Sequence, residues 1–431
     1  MADGARSDHP GVQRQLDRLA ALSPGGDRLG LERITELLDR LGRPQDELPP
    51  VLHVAGTNGK GSTCAFLRAA LEAAGHRVHV FTSPHLVRFN ERIRLAGTLI
   101  GDDYLAELLA EVLDAAGAIG PSFFEATAAA AFLAFARNPA EALVLEVGMG
   151  GRLDATNVIA RPAVTGIAAL GFDHQQWLGS TLADIAGEKA GIAKSGVPLV
   201  TLAQLPEAIA RIRTVAAAHG APVREQGEDW QSGSDGTRLT YLDRHGALSL
   251  PLPALAGAHQ QDNAALAVAM LRNQQALRVP EAALVRAMAE VRWPARLQKL
   301  APGPLAGTRD VWLDGGHNPQ AAGRLAESIA ALTAGRPLHL IAGMLSTKDP
   351  EGLLGPFRGR LAQLLTVPFD HSLALSPGDL AARARDIGLP AAAQSGLAAA
   401  LARVPAADAI LIAGSLYLAG EVLALNGEVP D

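Results

Sequence analysis

Cysteine is almost missing from this chain: one residue, Cys64, in 431. A single thiol cannot close an intramolecular disulfide, which fits a reducing, cytoplasmic setting. Excess positive charge is missing too, with 38 Lys and Arg against 44 Asp and Glu and a formal net charge of −6. A nucleic-acid partner held by a basic surface is therefore not expected, although a small anionic substrate needs only a local patch. Long apolar runs are absent. The most apolar stretch, Ala126 to Ala136, is bounded by Glu125 and Arg137 and falls far short of the roughly 20 residues that span a bilayer. The first ten residues are polar and reach Pro10 with no apolar segment behind them, unlike a secretory signal. Neither a membrane nor a nucleic acid is expected as partner. What remains, 48% hydrophobic and 19% charged residues, describes a globular chain long enough for two or three domains.

The most informative stretch is Val51-Leu52-His53-Val54-Ala55-Gly56-Thr57-Asn58-Gly59-Lys60-Gly61-Ser62-Thr63. A short β-branched run leads into a glycine-rich loop, and Cys64 to Leu71 continues as a helix. Phosphates need inward-pointing N–H groups, a cation and the positive end of a helix. Lys60 supplies the cation, and Ser62 or Thr63 can offer an oxygen to Mg²⁺. Gly61 separates the lysine from the hydroxyl, a departure from the usual phosphate-loop spacing.

Around this loop the chain alternates strands and helices. Strands are expected at 76–81, 142–147, 163–167 and 197–202, and helices at 11–22, 102–116, from 122 or 123 to 137, and 181–193. The rhythm predicts an open, mostly parallel α/β sheet with ligands at the carboxyl ends of its strands. Residues 222–256 change character and suggest a small antiparallel addition. Beyond a junction at Trp293-Pro294-Ala295-Arg296 the rhythm restarts, with strands near 311–314, 338–341, 364–367 and 409–413. The expected division is a phosphate-loop domain at 1–295 and a smaller, Rossmann-like α/β domain at 296–431.

Ser83, Glu146 and His174 follow three separate strands of the first domain. A hydroxyl, a carboxylate and an imidazole converging near bound phosphates could hold Mg²⁺ or Mn²⁺. Each alone has an ordinary reading as a solvated loop residue or a cap. Lys189, between Glu188 and Ala190, reads equally as a surface lysine beside an acidic neighbour. Asp314 and His317 flank a Gly-Gly turn.

Taken in order, Gly56-Thr57-Asn58-Gly59-Lys60-Gly61-Ser62, Ser83-Pro84-His85, the run from Glu146 to Asn157, Asp173-His174, Gly187 to Ile192 and Asp314 to Pro319 resemble the folylpolyglutamate synthase family of the Mur ligase superfamily. The resemblance covers the chain from about residue 27 to about residue 415 and is loose at 222–256. It implies an ATP-dependent amide ligase that activates a carboxylate as an acyl phosphate and joins it to an amino acid. Gly56, Thr57, Asn58, Gly59, Lys60, Gly61, Ser62, Thr63, Asn263, Arg296 and Asp314 match ATP-contacting positions. Ser83, Glu146 and His174 match the ligands of one or two Mg²⁺ ions. Lys60, Lys189, His174 and His317 match residues of the catalytic cleft, with Lys189 matching a lysine that is carbamylated in the family. A carbamate replaces a cation, which would repel Mg²⁺, with an anion. The second domain is expected to close over the site.

Only about fifty residues precede the loop, too few for the UDP-sugar domain of the cell-wall ligases. Asp27, Arg28, Leu29 and Gly30 resemble the dihydropteroate-binding segment of bifunctional bacterial members, and Phe124, Arg152, Leu153 and Asp154 match pterin-side positions. The resemblance thus implies dihydropteroate, folates and L-glutamate as small-molecule substrates, and a monomer. A monofunctional folylpolyglutamate synthase, a Mur-type ligase of another acid, and a phosphate-loop nucleotide switch stand as alternatives. One departure concerns the junction, where the family usually has glycine before the arginine and this chain has Ala295, which takes positive φ only at a cost.

Overall fold

The computed structural model describes residues 5–22, 29–333 and 335–431, so Asp27 and Arg28 lie outside the described residues. Two compact units are present: residues 1–254 with 261–291 and 431, and residues 255–260 with 292–430.

The first unit is built on an eight-stranded sheet. Across it run Thr98–Leu99, Ile93–Leu95, Val78–Phe81, Ala142–Glu146, Val51–Ala55, Val164–Ile167, Leu199–Thr201 and Val223–Glu225. The last six are parallel; Ile93–Leu95 pairs antiparallel with Val78–Phe81, and Thr98–Leu99 antiparallel with Ile93–Leu95. The phosphate-loop strand Val51–Ala55 lies between Ala142–Glu146 and Val164–Ile167, with every residue buried. Such strands read as continuous apolar runs because helices cover both faces of a parallel sheet. The apolar helix Phe123–Arg137 is N-capped by Ser122, which forms a capping box with Glu125, and packs in one core cluster with the helices Pro10–Leu22, Glu32–Arg40 and Asp102–Ala116.

Three expectations shift. Residues 222–256 do not form a single antiparallel addition: Val223–Glu225 extends the parallel sheet beside Leu199–Thr201, and only Trp230–Ser234, Arg238–Asp243 and Gly246–Pro251 form the small antiparallel sheet. The helix capped by Thr181 ends at Ala190, not Ala193. Gly191 there presses so closely on Arg152 that a Cβ would lie 2.3 Å from the arginine Cβ. The strand expected from His76 begins at Val78.

The second unit carries a six-stranded sheet in the order Gln298–Lys299, Val311–Leu313, Ala409–Ala413, Leu338–Ala342, Gln363–Thr366, Ala391–Ala393. All are parallel except Gln298–Lys299. Among the described residues no helix is long and apolar enough to cross a membrane.

Candidate active site

The phosphate loop is lashed to the next strand-end loop. The N–H groups of Thr57 and Asn58 both donate to the Ala169 carbonyl, at 3.0 and 3.1 Å. The Thr57 hydroxyl donates to the Gly171 carbonyl at 3.0 Å, and the Gly171 N–H donates back to it at 3.1 Å. Thr57 and Asn58 thus spend their backbone donors on holding the loop. Gly59 caps the helix Lys60–Ala73 with φ +88°, and a Cβ on it would stand 2.2 Å from Asn263 Oδ1. The first helical bond runs from the Thr63 N–H to the Gly59 carbonyl, 2.9 Å. The N–H groups of Gly59, Lys60, Gly61 and Ser62 precede that ladder and are the donors a helix start offers an anion. The Thr63 hydroxyl is buried there with no hydrogen-bond partner among the described residues.

Two of the three strand-end candidates meet directly. Glu146 is buried at the end of its strand, and its Oε2 accepts the Ser83 N–H at 3.2 Å. His174 has φ +52° and sits two residues beyond Phe172 in the loop that Thr57 grips. Its N–H donates to Asp173 Oδ1 at 2.9 Å. Two oxygen donors and an imidazole suit a hard divalent cation. Among the described residues, no three His, Cys, Asp or Glu side chains gather into a metal-binding group.

Lys189 is not a surface residue. It is 5% exposed and its Nζ donates to the Gly56 carbonyl at 2.9 Å. Burial, then the nearby Lys60 cation, pushes its pKa down to about 7. Its acidic neighbour points elsewhere: Glu188 Oε1 accepts from Arg152 Nε and Nη2 at 3.0 and 2.8 Å. The glycine run makes this approach possible, since a Cβ on Gly151 would lie 2.8 Å from the carbonyl oxygens of both Glu188 and Lys189.

The pterin-side candidates divide. Phe124 lies over the backbone of Gly148, where a Cβ would stand 2.4 Å from the ring, and beside Phe81 at 5.9 Å between centroids. Next to it, Glu125 is held by Arg33 through two bonds of 3.0 Å, which ties the segment of Leu29 and Gly30 to this helix. Asp154 turns inward: it accepts from the Met149 N–H at 2.8 Å and the Thr156 N–H at 3.0 Å. Burial pushes its carboxyl pKa up against the pull of those bonds. Leu153 is half-buried between Arg152 and Asp154. Sequence reasoning passed over His53, fully buried beneath this loop; its signal was a polar residue at the centre of an apolar strand.

In the second unit, Asp314 ends the strand Val311–Leu313 and accepts from Leu297 N–H at 2.8 Å and Gly316 N–H at 2.7 Å. Arg296 Nη1 donates to the Ala295 carbonyl at 2.8 Å, and His317 Nδ1 lies 3.0 Å from the Gly315 carbonyl. Asp314 and His317 share one turn, and Arg296 comes from the junction segment fastened to that turn by the Leu297 N–H to Asp314 bond and by the Gly315 N–H to the Ala295 carbonyl, 2.9 Å. Ala295 and Leu297 adopt φ +53° and +46°, so the junction takes the left-handed backbone although alanine stands in the glycine place.

Comparison with known proteins agrees with this geometry. The family described as Mur ligase middle domain matches residues 54–271, and Mur ligase, glutamate ligase domain matches 295–416. A dihydrofolate synthase/folylpolyglutamate synthase of Escherichia coli strain K12 is 35% identical over 404 residues, 92% of this chain and 90% of the relative. The solved E. coli FolC in complex with DHPP and ADP superposes with TM-score 0.88 at 32% identity, over 97% and 98% of the two chains. A bifunctional folylpolyglutamate synthase/dihydrofolate synthase with Mn, AMPPNP and L-glutamate bound gives 0.84 at 30% identity, over 95% and 97%. The chain belongs to the Mur ligase family, in its dihydrofolate synthase/folylpolyglutamate synthase branch.

Proposed function

We propose that this chain is an ATP-dependent ligase that adds L-glutamate to dihydropteroate, giving dihydrofolate, and to the glutamate tail of reduced folates. The reading rests most heavily on one observation: a phosphate loop whose end carbonyl, at Gly56, is held by the buried amine of Lys189. The likeness of both units to folate ligases supports the same reading.

A carboxylate is a poor electrophile until one oxygen becomes a leaving group. In the proposed reaction that oxygen takes the γ-phosphoryl of ATP and ADP leaves. The glutamate amine then attacks the carbonyl carbon, phosphate departs and an amide remains. Lys60 and the N–H groups from Gly59 to Ser62 would offset the charge that develops on the phosphoryl group. Ser83, Glu146 and His174 would hold Mg²⁺, which when bound neutralises phosphate charge. The unpaired Thr63 hydroxyl supports a ligand oxygen or ion at this helix start. Lys189 is proposed to be carbamylated: an amine whose pKa lies near 7 is substantially unprotonated at neutral pH, and only the free amine adds CO₂. Asn263, Arg296 and Asp314 are proposed to contact the nucleotide and His317 to line the cleft. Leu29, Gly30, Phe124, Arg152, Leu153 and Asp154 are proposed to serve the pterin, with Asp27 and Arg28 from the adjoining segment. The proposed enzyme is a cytoplasmic monomer.

The test is phosphate release with ATP, Mg²⁺ and L-glutamate, comparing dihydropteroate with tetrahydrofolate. Turnover with both is expected. Turnover with tetrahydrofolate alone would leave a monofunctional synthase. ATP hydrolysis indifferent to acid and amino acid would overturn the ligase reading.

A further inference from the structure

The strand that delivers the phosphate loop is apolar except at its centre, where His53 is fully buried. Its Nε2 lies 2.8 Å from Thr156 Oγ1. The Thr156 hydroxyl in turn lies 2.5 Å from Asp154 Oδ1. Asp154 also accepts the backbone N–H groups of Met149 and Thr156, a pattern that suits an ionised, acceptor-only carboxylate. The hydroxyl proton therefore points to Asp154, and the nitrogen facing Thr156 must be the one that carries the imidazole proton.

The remaining ring nitrogen agrees with this assignment. Burial pushes the His53 pKa down to about 3, so the ring is neutral and has one bare nitrogen. Nδ1 is that nitrogen, and it is buried with no partner among the described residues. An unpaired buried polar atom carries a cost, and an apolar side chain would fill this strand position without it. The donor at Nε2 is what the histidine contributes.

The chain of bonds ends at the loop following Glu146. Asp154 Oδ2 accepts the Met149 N–H at 2.8 Å, within the run Gly148–Gly151. Asn157 fastens the far side of the same loop, donating to the carbonyls of Arg152 and Gly191 at 3.0 and 3.1 Å. Glu146 with its Ser83 contact and the Gly148 backbone under Phe124 border this loop.

We propose that His53 is a positioning residue, holding the Gly148–Gly151 loop through Thr156 and Asp154 from the strand beneath the phosphate loop. It touches neither substrate nor reacting atoms. Its kinetic readout rests on the glutamate-ligase reading, whereas its exchange readout does not.

The experiment compares wild type with His53→Leu, His53→Gln, Thr156→Val and the His53→Leu/Thr156→Val pair. Replacing the donor in His53→Leu is expected to lower kcat/KM for the folate acid about tenfold, with KM for ATP within about twofold. His53→Gln, whose amide nitrogen can take the Nε2 place, is expected to stay within about threefold of wild type. The double variant should be no worse than the poorer single variant by more than about twofold, because both break one chain. Hydrogen exchange of the Met149 amide should speed up in His53→Leu with or without turnover. Wild type that exchanges normally but turns over no folate acid would overturn the ligase reading and leave the positioning role standing. Unchanged Met149 exchange in His53→Leu, a loss in His53→Gln equal to that in His53→Leu, or additive single effects would overturn the positioning role. Should His53→Leu fail to fold, His53→Gln against Thr156→Val decides: a silent Thr156→Val overturns the proposal.

Discussion

The phosphate loop and the junction of the second unit meet the same backbone problem and solve it differently. Each turns the chain through positive φ beside a charged candidate residue. In the phosphate loop the residues are Gly56 and Gly59, at φ +151° and +88°. Neither has room for a side chain: a Cβ would lie 2.8 Å from Ala168 Cβ in one case and 2.2 Å from Asn263 Oδ1 in the other. At the junction the residues are Ala295 and Leu297, both buried. Left-handed backbone costs an L-residue about 1–2 kcal/mol. Hydrogen bonds hold it there: Ala295 N–H to Gln298 Oε1 at 2.9 Å, Gly315 N–H to the Ala295 carbonyl at 2.9 Å, and Leu297 N–H to Asp314 Oδ2 at 2.8 Å. Glycine is required where space and conformation are both constrained. Where only conformation is unusual, alanine suffices if the turn is fastened around it.

The largest expected effect removes the side chain that grips the phosphate loop from outside. Lys189→Ala should lower turnover by about a thousandfold, measured as phosphate release; bicarbonate should not restore it, whereas short carboxylates should do so in part. Full activity would remove the carbamate role. The same amine makes a pH prediction. Protonation blocks its addition to CO₂, so the ¹³C-carbamate signal formed from labelled bicarbonate should grow as pH rises from about 6 to about 8, through the pKa of about 7, and should be missing from Lys189→Ala. A signal flat across that range would contradict the lowered pKa.

Next comes Gly59→Ala, which drives a methyl group into Asn263 and should reduce ATP turnover about a hundredfold in a chain whose circular dichroism is unchanged. Near-normal turnover would dissolve the distinction between the two turns. At the junction the effects should be smaller and appear in stability. Ala295→Val, β-branched at positive φ, should cost about 2 kcal/mol in thermal unfolding of the second unit. Ala295→Gly should stay within about 1 kcal/mol of wild type, since relieved strain is offset by a lost buried methyl and a looser unfolded chain. A large gain from glycine would mean that the hydrogen bonds leave the strain unrelieved.

Much of the first unit was legible because its signals are local. The strand Val51–Ala55 and the following helix show in a few consecutive residues, as does the start of the helix Phe123–Arg137. The Val223–Glu225 strand was not legible: three residues carry too little periodicity to separate them from the antiparallel hairpins after them. Lys189 was ambiguous for another reason. Its sequence neighbour Glu188 offered a surface pairing, but Glu188 is taken by Arg152, 36 positions away. The pairing of Arg33 with Glu125, 92 positions apart, was equally out of reach.

Residue order alone carries the phosphate loop, the alternation of strands and helices, the strand ends at which polar residues collect and the glycines those ends require. All of these depend on backbone conformations and caps set by residues a few positions apart. Which polar groups face each other emerges with the packed fold: Lys189 on the Gly56 carbonyl, Glu146 on Ser83, His53 on Thr156, and Asp314 on the turn around Ala295. Those choices depend on packing that brings distant segments together and excludes water. Desolvation then moves the lysine towards neutrality and raises the cost of leaving any of these buried groups unpaired.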